Sequence, residues 1–154
     1  SLGNLPTPGS LVARIRQTAP QTFTTAVAEF IDFDTVDYDP WAGFDPATPD
    51  RYTFPFPGIF QINGRIVWET TATSRRAVFI NVNGTTSSTG TRGGSSVQAA
   101  AAGGTQVNGV GTYPAGAEEY VGLRGIQNSG GNLDTSTSDG GSCMELVYLG
   151  QSYV

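Results

Sequence analysis

Six aspartates, Asp32, Asp34, Asp37, Asp39, Asp45 and Asp50, fall between positions 32 and 50, in a stretch rich in proline and aromatic residues. Calcium takes about six to eight oxygens from carboxylates, carbonyls and water, and a turn-rich loop dense in Asp supplies them. Asp37, Asp39 and Asp45 are the candidate ligands. The spacing is not that of an EF-hand, and Asp32, Asp34 and Asp37 fall partly on opposite faces of an extended chain. Asp39-Pro40 and Asp45-Pro46 also have the form of turn caps, in which a carboxylate accepts from nearby backbone N–H groups. Two carboxylates at a suitable separation hydrolyse glycosidic bonds, and Asp45 with Asp50 or Asp37 with Asp39 are the pairs to consider. Here too the turn-cap reading competes.

Other chemistry is closed off by composition. The chain has no histidine and one cysteine, Cys143, so neither a Ser-His-Asp nor a Cys-His arrangement can be assembled. A single cysteine also rules out an internal disulfide and a cysteine-based zinc site; inside an apolar strand it reads as a small core or interface residue. The expectation is a protein without catalytic residues and not an enzyme, with no cofactor unless calcium binds. Net charge is −5 without a basic tract, which argues against nucleic acid as a partner. No apolar run is long enough for a membrane-spanning helix, and no membrane insertion is expected.

Three residues are candidates for binding a ligand. Trp41, between Pro40 and Ala42, either stacks on a sugar ring or plugs an open end of the fold. Arg75 and Arg76, at the start of a strand, either contact an anionic glycan or a neighbouring subunit's aspartates, or mark a solvated strand end.

The elements that must position these residues are strands. The 154 residues include 21 glycines and 9 prolines, and no segment sustains a helical period; the class is all-β. At this length one domain with one core is expected, with 1–10 a Pro/Gly linker or arm and 11–154 a single domain. The organising stretch is Arg51 to Glu69. Tyr52, Phe54 and Phe56 alternate with Thr53, Pro55 and Pro57, giving a short strand at an edge or corner. After Pro57-Gly58 a central strand puts Phe60, Ile62 and Gly64 on one face and Gln61, Asn63 and Arg65 on the other. Leu11 to Arg16, Ala26 to Phe33 and Arg75 to Val82 read as strands, the last ending at an Asn83-Gly84 turn. Thr85 to Ser96 reads as a Gly/Ser/Thr loop and Val97 to Ala102 as a flat strand. Gln106 to Tyr113 is a strand whose Gly109 and Gly111 mark a bulge or a close backbone approach. Pro114 to Gly116 turns into Glu119 to Gln127, with Val121 and Leu123 in the core, and Asn128 to Gly141 reads as a polar loop.

The last strand, Ser142 to Gly150, is apolar on both faces. Met144, Leu146 and Tyr148 make one, Val147 and Leu149 the other, and a strand of that kind has to be covered twice. One cover is the domain's own second sheet. The other is either a neighbouring subunit or the Leu11 to Arg16 arm.

The order of these signals resembles the globular head of the complement first component and its relatives in the tumour necrosis factor superfamily. The likeness rests on PFPGIFQING preceded by YDP and FDP, on a paired strand ending in Asn-Gly, on TYPAGAEEYVGL, and on a terminal strand. That family's Phe, then Gly-x-aromatic-x-aromatic pattern falls on Phe44, Gly58, Phe60 and Ile62, with Gly64 where an aromatic is usual. The loops, richer in Gly and Ser, are similar to bacterial and bacteriophage members. The resemblance implies a TNF-like jelly-roll sandwich of ten strands in two antiparallel sheets, assembled as a homotrimer. Val147, Leu149, Gln61 and Asn63 are then interface residues. It further implies a non-enzymatic trimeric head of a bacteriophage virion protein (tail fibre, minor tail or head fibre), located on a virion or extracellular surface. Its partners would be a host-surface carbohydrate or protein, and other virion proteins through the N-terminus. The alternatives are a purely structural virion knob or decoration protein and a secreted bacterial adhesin or lectin-like module.

Overall fold

The computed structural model describes residues 5–100 and 102–151. Residues 1–4 of the expected N-terminal linker, Ala101 of the expected flat strand, and residues 152–154 lie outside the described part. The strands are β1 (Ser10–Arg16), β2 (Thr22–Phe23), β3 (Glu29–Phe30), β4 (Thr35–Tyr38), β5 (Tyr52–Thr53), β6 (Gly58–Trp68), β7 (Arg75–Val82), β8 (Thr91–Gln98), β9 (Thr105–Ala115), β10 (Tyr120–Gln127), β11 (Leu133–Asp134) and β12 (Cys143–Gly150). One sheet runs β4-β1-β12-β6-β9; the other runs β3-β10-β7-β8, with β5 also pairing β10. All these pairings are antiparallel, and the two sheets together hold ten strands. The short pair β11-β2 is a separate ladder, tied to the end of β6 by a bridge between Trp68 and Thr135. This is the all-β jelly-roll sandwich expected.

Alternation sets the layers. In β6, Phe60, Ile62 and Ile66 are fully buried while Gln61, Asn63 and Arg65 are half-buried on the opposite face. In β12, Met144, Leu146 and Tyr148 point inward, and β10 contributes Val121 and Leu123 from the facing sheet. Phe54, Phe56, Phe60 and Tyr148 form a chain of tilted and edge-to-face rings, with centroids 4.8–5.7 Å apart. Trp68 closes the other end, edge-on to Phe23 at 4.9 Å. Gly64 lies under Leu123, whose methyl carbon occupies the place a Cβ would take. That contact explains why glycine stands where the related pattern has an aromatic.

Several expectations are corrected. The stretch from Ala26 to Phe33 is not one strand: Ala26 has φ 61°, its N–H bonds to Gln127 O, and only Glu29–Phe30 forms a ladder. Asp34 to Asp50 does more than wrap an end, because Thr35–Tyr38 adds the edge strand β4 beside β1. Thr85 to Ser96 is not wholly a loop: Thr91 onward is β8, pairing β7 through Gln98, and the expected strand from Val97 stops there. Pro114 and Ala115 still belong to β9, so the turn follows them. Asn128 to Gly141 is no soft loop throughout; it contains β11, and Thr135 and Ser136 are buried.

The strand that looked loose is held by contact between backbones. Edge strands β8 and β9, of different sheets, approach so closely that a Cβ on Gly93 would collide with the Val110 carbonyl, and one on Gly111 with the Arg92 carbonyl. Ser95 Oγ bonds the Asn108 carbonyl across the same seam. Glycine is required here for its missing side chain. The signal at Gly109 and Gly111 is therefore close approach, and the ladder between β6 and β9 runs through both without a bulge.

Candidate functional site

The outward face of the β4-β1-β12-β6-β9 sheet is where sequence placed the double-covered strand. Three rows cross it in register: Leu11, Val147, Gln61, Thr112; then Arg14, Glu145, Asn63, Val110; then Arg16, Cys143, Arg65, Asn108. Among the described residues none lies over this face as a second layer, and Leu11, Val110 and Leu149 remain 36%, 56% and 41% exposed. The β1 arm lies beside Val147 in the sheet and does not cover it. Val147, Gln61 and Asn63 are half-buried there.

Charge on this face is paired within the chain. Arg14 reaches Glu145 at 2.5 Å and Asp37 at 3.2 Å, and Arg16 grips Asp37 with both nitrogens at 2.6 and 2.8 Å. The hydrogen bond from Arg16, with Arg14 nearby, holds the Asp37 carboxyl below its ordinary value. Arg65 donates to the carbonyls of Asp139 and Gly141. Between the rows lies a shallow hollow of about 370 Å³ lined by Arg14, Asn63, Arg65, Asn108, Val110 and Cys143. Cys143 is 8% exposed, and burial pushes its thiol upward despite Arg65 and Arg14. It is a protonated, packed residue of this face.

The aspartates are dispersed. Asp37 belongs to the arginines just described. Asp39 accepts from the N–H groups of Gly43 and Phe44 and from the Tyr52 hydroxyl at 2.8 Å. Asp45 accepts from Ala47 N–H at 2.9 Å, a short turn cap. Among the described residues no group of three or more Asp, Glu, His or Cys side chains is placed to hold a metal ion. Asp34 takes bonds from the hydroxyls of Thr18 and Thr35 and the N–H groups of Thr18 and Ala19. Burial alone would raise that carboxyl, but these donors together hold it low.

The ligand candidates separate as well. Trp41 is half-buried and meets Phe56 edge-on at 5.6 Å, packed against the core as a plug. Arg75 is exposed, whereas its neighbour Arg76 is fully buried and donates to the carbonyls of Thr71, Thr73 and Arg75. Burial lowers the Arg76 pKa. Strand alternation puts the two on opposite faces, so they do not form one site.

Two features escaped the sequence reading. Arg14, Arg16, Asp37 and Glu145 make a charged network on the outward face of the β4-β1-β12-β6-β9 sheet; the alternation of Arg14 and Arg16 in a strand was the signal for it. The other is a groove on the outward face of β7 and β8, floored by Gly93 and Gly94 and lined by Arg75, Phe79, Arg92 and Ser96. It lay within what read as a loop. No helix among the described residues is long and apolar enough to cross a membrane.

No family model matches the chain, and no curated protein matches it in sequence. Solved structures do match. Murine APRIL at pH 5.0 aligns with a TM-score of 0.68 at 10% identity, over 90% of this chain and 98% of that one. The globular domain of zebrafish complement 1qA protein aligns at 0.63 and 10% identity, over 93% and 100%. Eiger TNF from S. frugiperda aligns at 0.62 and 10% identity, over 94% and 96%. At such identities the likeness is one of fold, and the chain has the jelly-roll fold shared by TNF-like proteins and complement globular heads.

Proposed function

We propose that this chain is a non-enzymatic, homotrimeric head domain whose assembly face is the outward side of the β4-β1-β12-β6-β9 sheet. The observation that carries it is that sheet's uncovered surface, where Leu11, Val147, Val110 and Leu149 sit beside intramolecularly paired arginines. Exposed apolar residues gathered on one sheet face mark a protein contact surface, and the pairing of Arg14 and Arg16 with Glu145 and Asp37 makes covering it less costly than covering lone charges. Three copies would present three equal sets of surface loops, so a weak site on each binds a multivalent target by avidity.

The particle we propose is a bacteriophage virion, in a tail fibre, minor tail or head fibre protein, with a host-surface carbohydrate or protein as target. Support for that step is the loop style of the sequence, rich in Gly, Ser, Thr and Asn, whose adaptable hydrogen bonding suits recognition surfaces. Assembly is tested by sedimentation equilibrium at micromolar concentration, where a trimer is expected; a well-folded monomer overturns it. Attachment is tested by whether the isolated trimer binds host cells and competes with particle adsorption. A trimer that docks to the particle but never to cells favours the structural-knob reading.

A further inference from the structure

We infer that the groove along β7 and β8 is a binding site for a carboxylate-bearing oligosaccharide, held by Arg75 and Arg92 with Phe79 between them. The chain has eight arginines. Arg14, Arg16 and Arg51 pair with carboxylates, and Arg65, Arg76 and Arg124 donate to backbone carbonyls. Among the described residues, only Arg75 and Arg92 have neither an ion pair nor a hydrogen-bonded acceptor for the guanidinium. Both line the same groove, and no acidic side chain lines it with them. Arg92 lies over the Tyr113 ring at 5.0 Å, a contact that leaves its N–H donors without an acceptor. In a chain of net charge −5, two cations without a hydrogen-bonded carboxylate on one surface mark a place for an external anion, and the planar guanidinium fits a carboxylate with two parallel bonds.

The rest of the groove suits a sugar. Phe79 is half-buried with Arg124 stacked over its ring at 5.2 Å, so the ring is fixed from one side. On the other side its cross-strand partner is Gly94, which has no side chain and leaves the ring beside an open floor. Ser96 adds a hydroxyl. Arg75 pairs with Gln98 at one end of β8 and Arg92 lies near the other, a span of roughly 20 Å along the strand. An extended ligand with repeated carboxylates matches that span better than a single small anion. A peptide joining the sheet edge is not accommodated, because that mode needs a free strand edge and the edge of β8 is pressed against the Val110 and Asn108 carbonyls.

The groove lies on the sheet facing away from the proposed assembly face, so it stays open in a trimer. The inference names the ligand class of that attachment reading and rests on it only for avidity. The test is titration of the intact chain with a short oligogalacturonate at low salt, alongside the same oligomer fully methyl-esterified and a poly-glutamate of similar length. Binding of the uronate, none of the ester, and a loss of roughly tenfold or more in the double variant Arg75→Ala/Arg92→Ala are expected. Both arginines are solvent-accessible, and unchanged thermal melting of the variant shows that it folds; Phe79→Ala supplies a second reading of the same site. No binding of the uronate, equal binding of the ester or of poly-glutamate, or full retention in the double variant each overturns the site. Sedimentation of the same samples separates the two proposals: a monomer that binds keeps the groove, and a trimer that does not keeps only the assembly.

Discussion

Asp39 shows how one carboxylate of an apparent metal cluster is committed elsewhere. It ties the turn at Gly43 and Phe44 to the hydroxyl of Tyr52, which is fully buried. Burial and the adjacent Asp39 raise that phenol's pKa, so it remains a donor. Replacing Asp39 with Ala leaves a buried hydroxyl unpaired and is expected to cost about 1–3 kcal/mol, measured from the urea midpoint; adding Tyr52→Phe should recover part of the loss. Because Asp37, Asp39 and Asp45 are each engaged separately, EDTA is expected to leave the melting temperature unchanged, whereas a calcium site would show a drop. The carboxyls of Asp37, Asp34 and Glu119 are all held low in the folded chain. Their stabilisation is complete above the unfolded value near pH ~4 and is lost as pH falls through the lowered folded values. Asp32, raised by burial and Asp50, runs the opposite way. Urea midpoints should therefore fall below pH ~4, and Asp37→Asn should flatten that decline. The residue scale was only half legible in sequence. Arg75 and Arg76 were neighbours sharing one candidate role, yet the two-residue period already sends them to opposite faces. The fate of Asp37 depended on Arg14 and Arg16 across a strand pair that sequence does not reveal.

At the scale of elements, the legible strands were those whose alternation is apolar. β6, β7, β10 and β12 carry mostly apolar residues at every second position, and tertiary structure adds little to such a pattern beyond burying it. β8 was missed for the opposite reason: TRGGSSVQ has little intrinsic strand preference, and what makes it a strand is the fit of its glycines against β9. β4 was missed because its ladder partner, β1, is distant in sequence and its aspartates read as loop. The seam makes a sharp prediction. Gly93→Ala should destabilise by about 1–3 kcal/mol through forced separation of the strands, while Gly131→Ala, with nothing near its Cβ position, should stay within about 0.5 kcal/mol. Thermal unfolding of the two variants side by side checks this, and equal melting would show that the strands part freely.

For the whole molecule, the apolar residues on both faces of β12 were visible in sequence, and so was the jelly-roll order of its strands. What sequence left undecided was whether the β1 arm supplies the second cover, and the structure places that arm alongside. Val147→Asp puts a charge among Leu11, Gln61 and Thr112, and is expected to convert the proposed trimer to monomer with the circular dichroism spectrum kept. The seam between β8 and β9 has one more consequence for the molecule in a crowded solution. A sandwich of two open sheets has four borders at which a foreign strand can add, the route to aggregates and fibres. Here two of them shield each other, backbone against backbone. Of the remaining borders, β4 is only four residues long and runs straight into Pro40, while β3 and β5 are two residues each. Among the described residues a polymerising neighbour finds no long, flat template, so concentrated solutions of this chain should stay clear at rest and resist seeding by preformed amyloid.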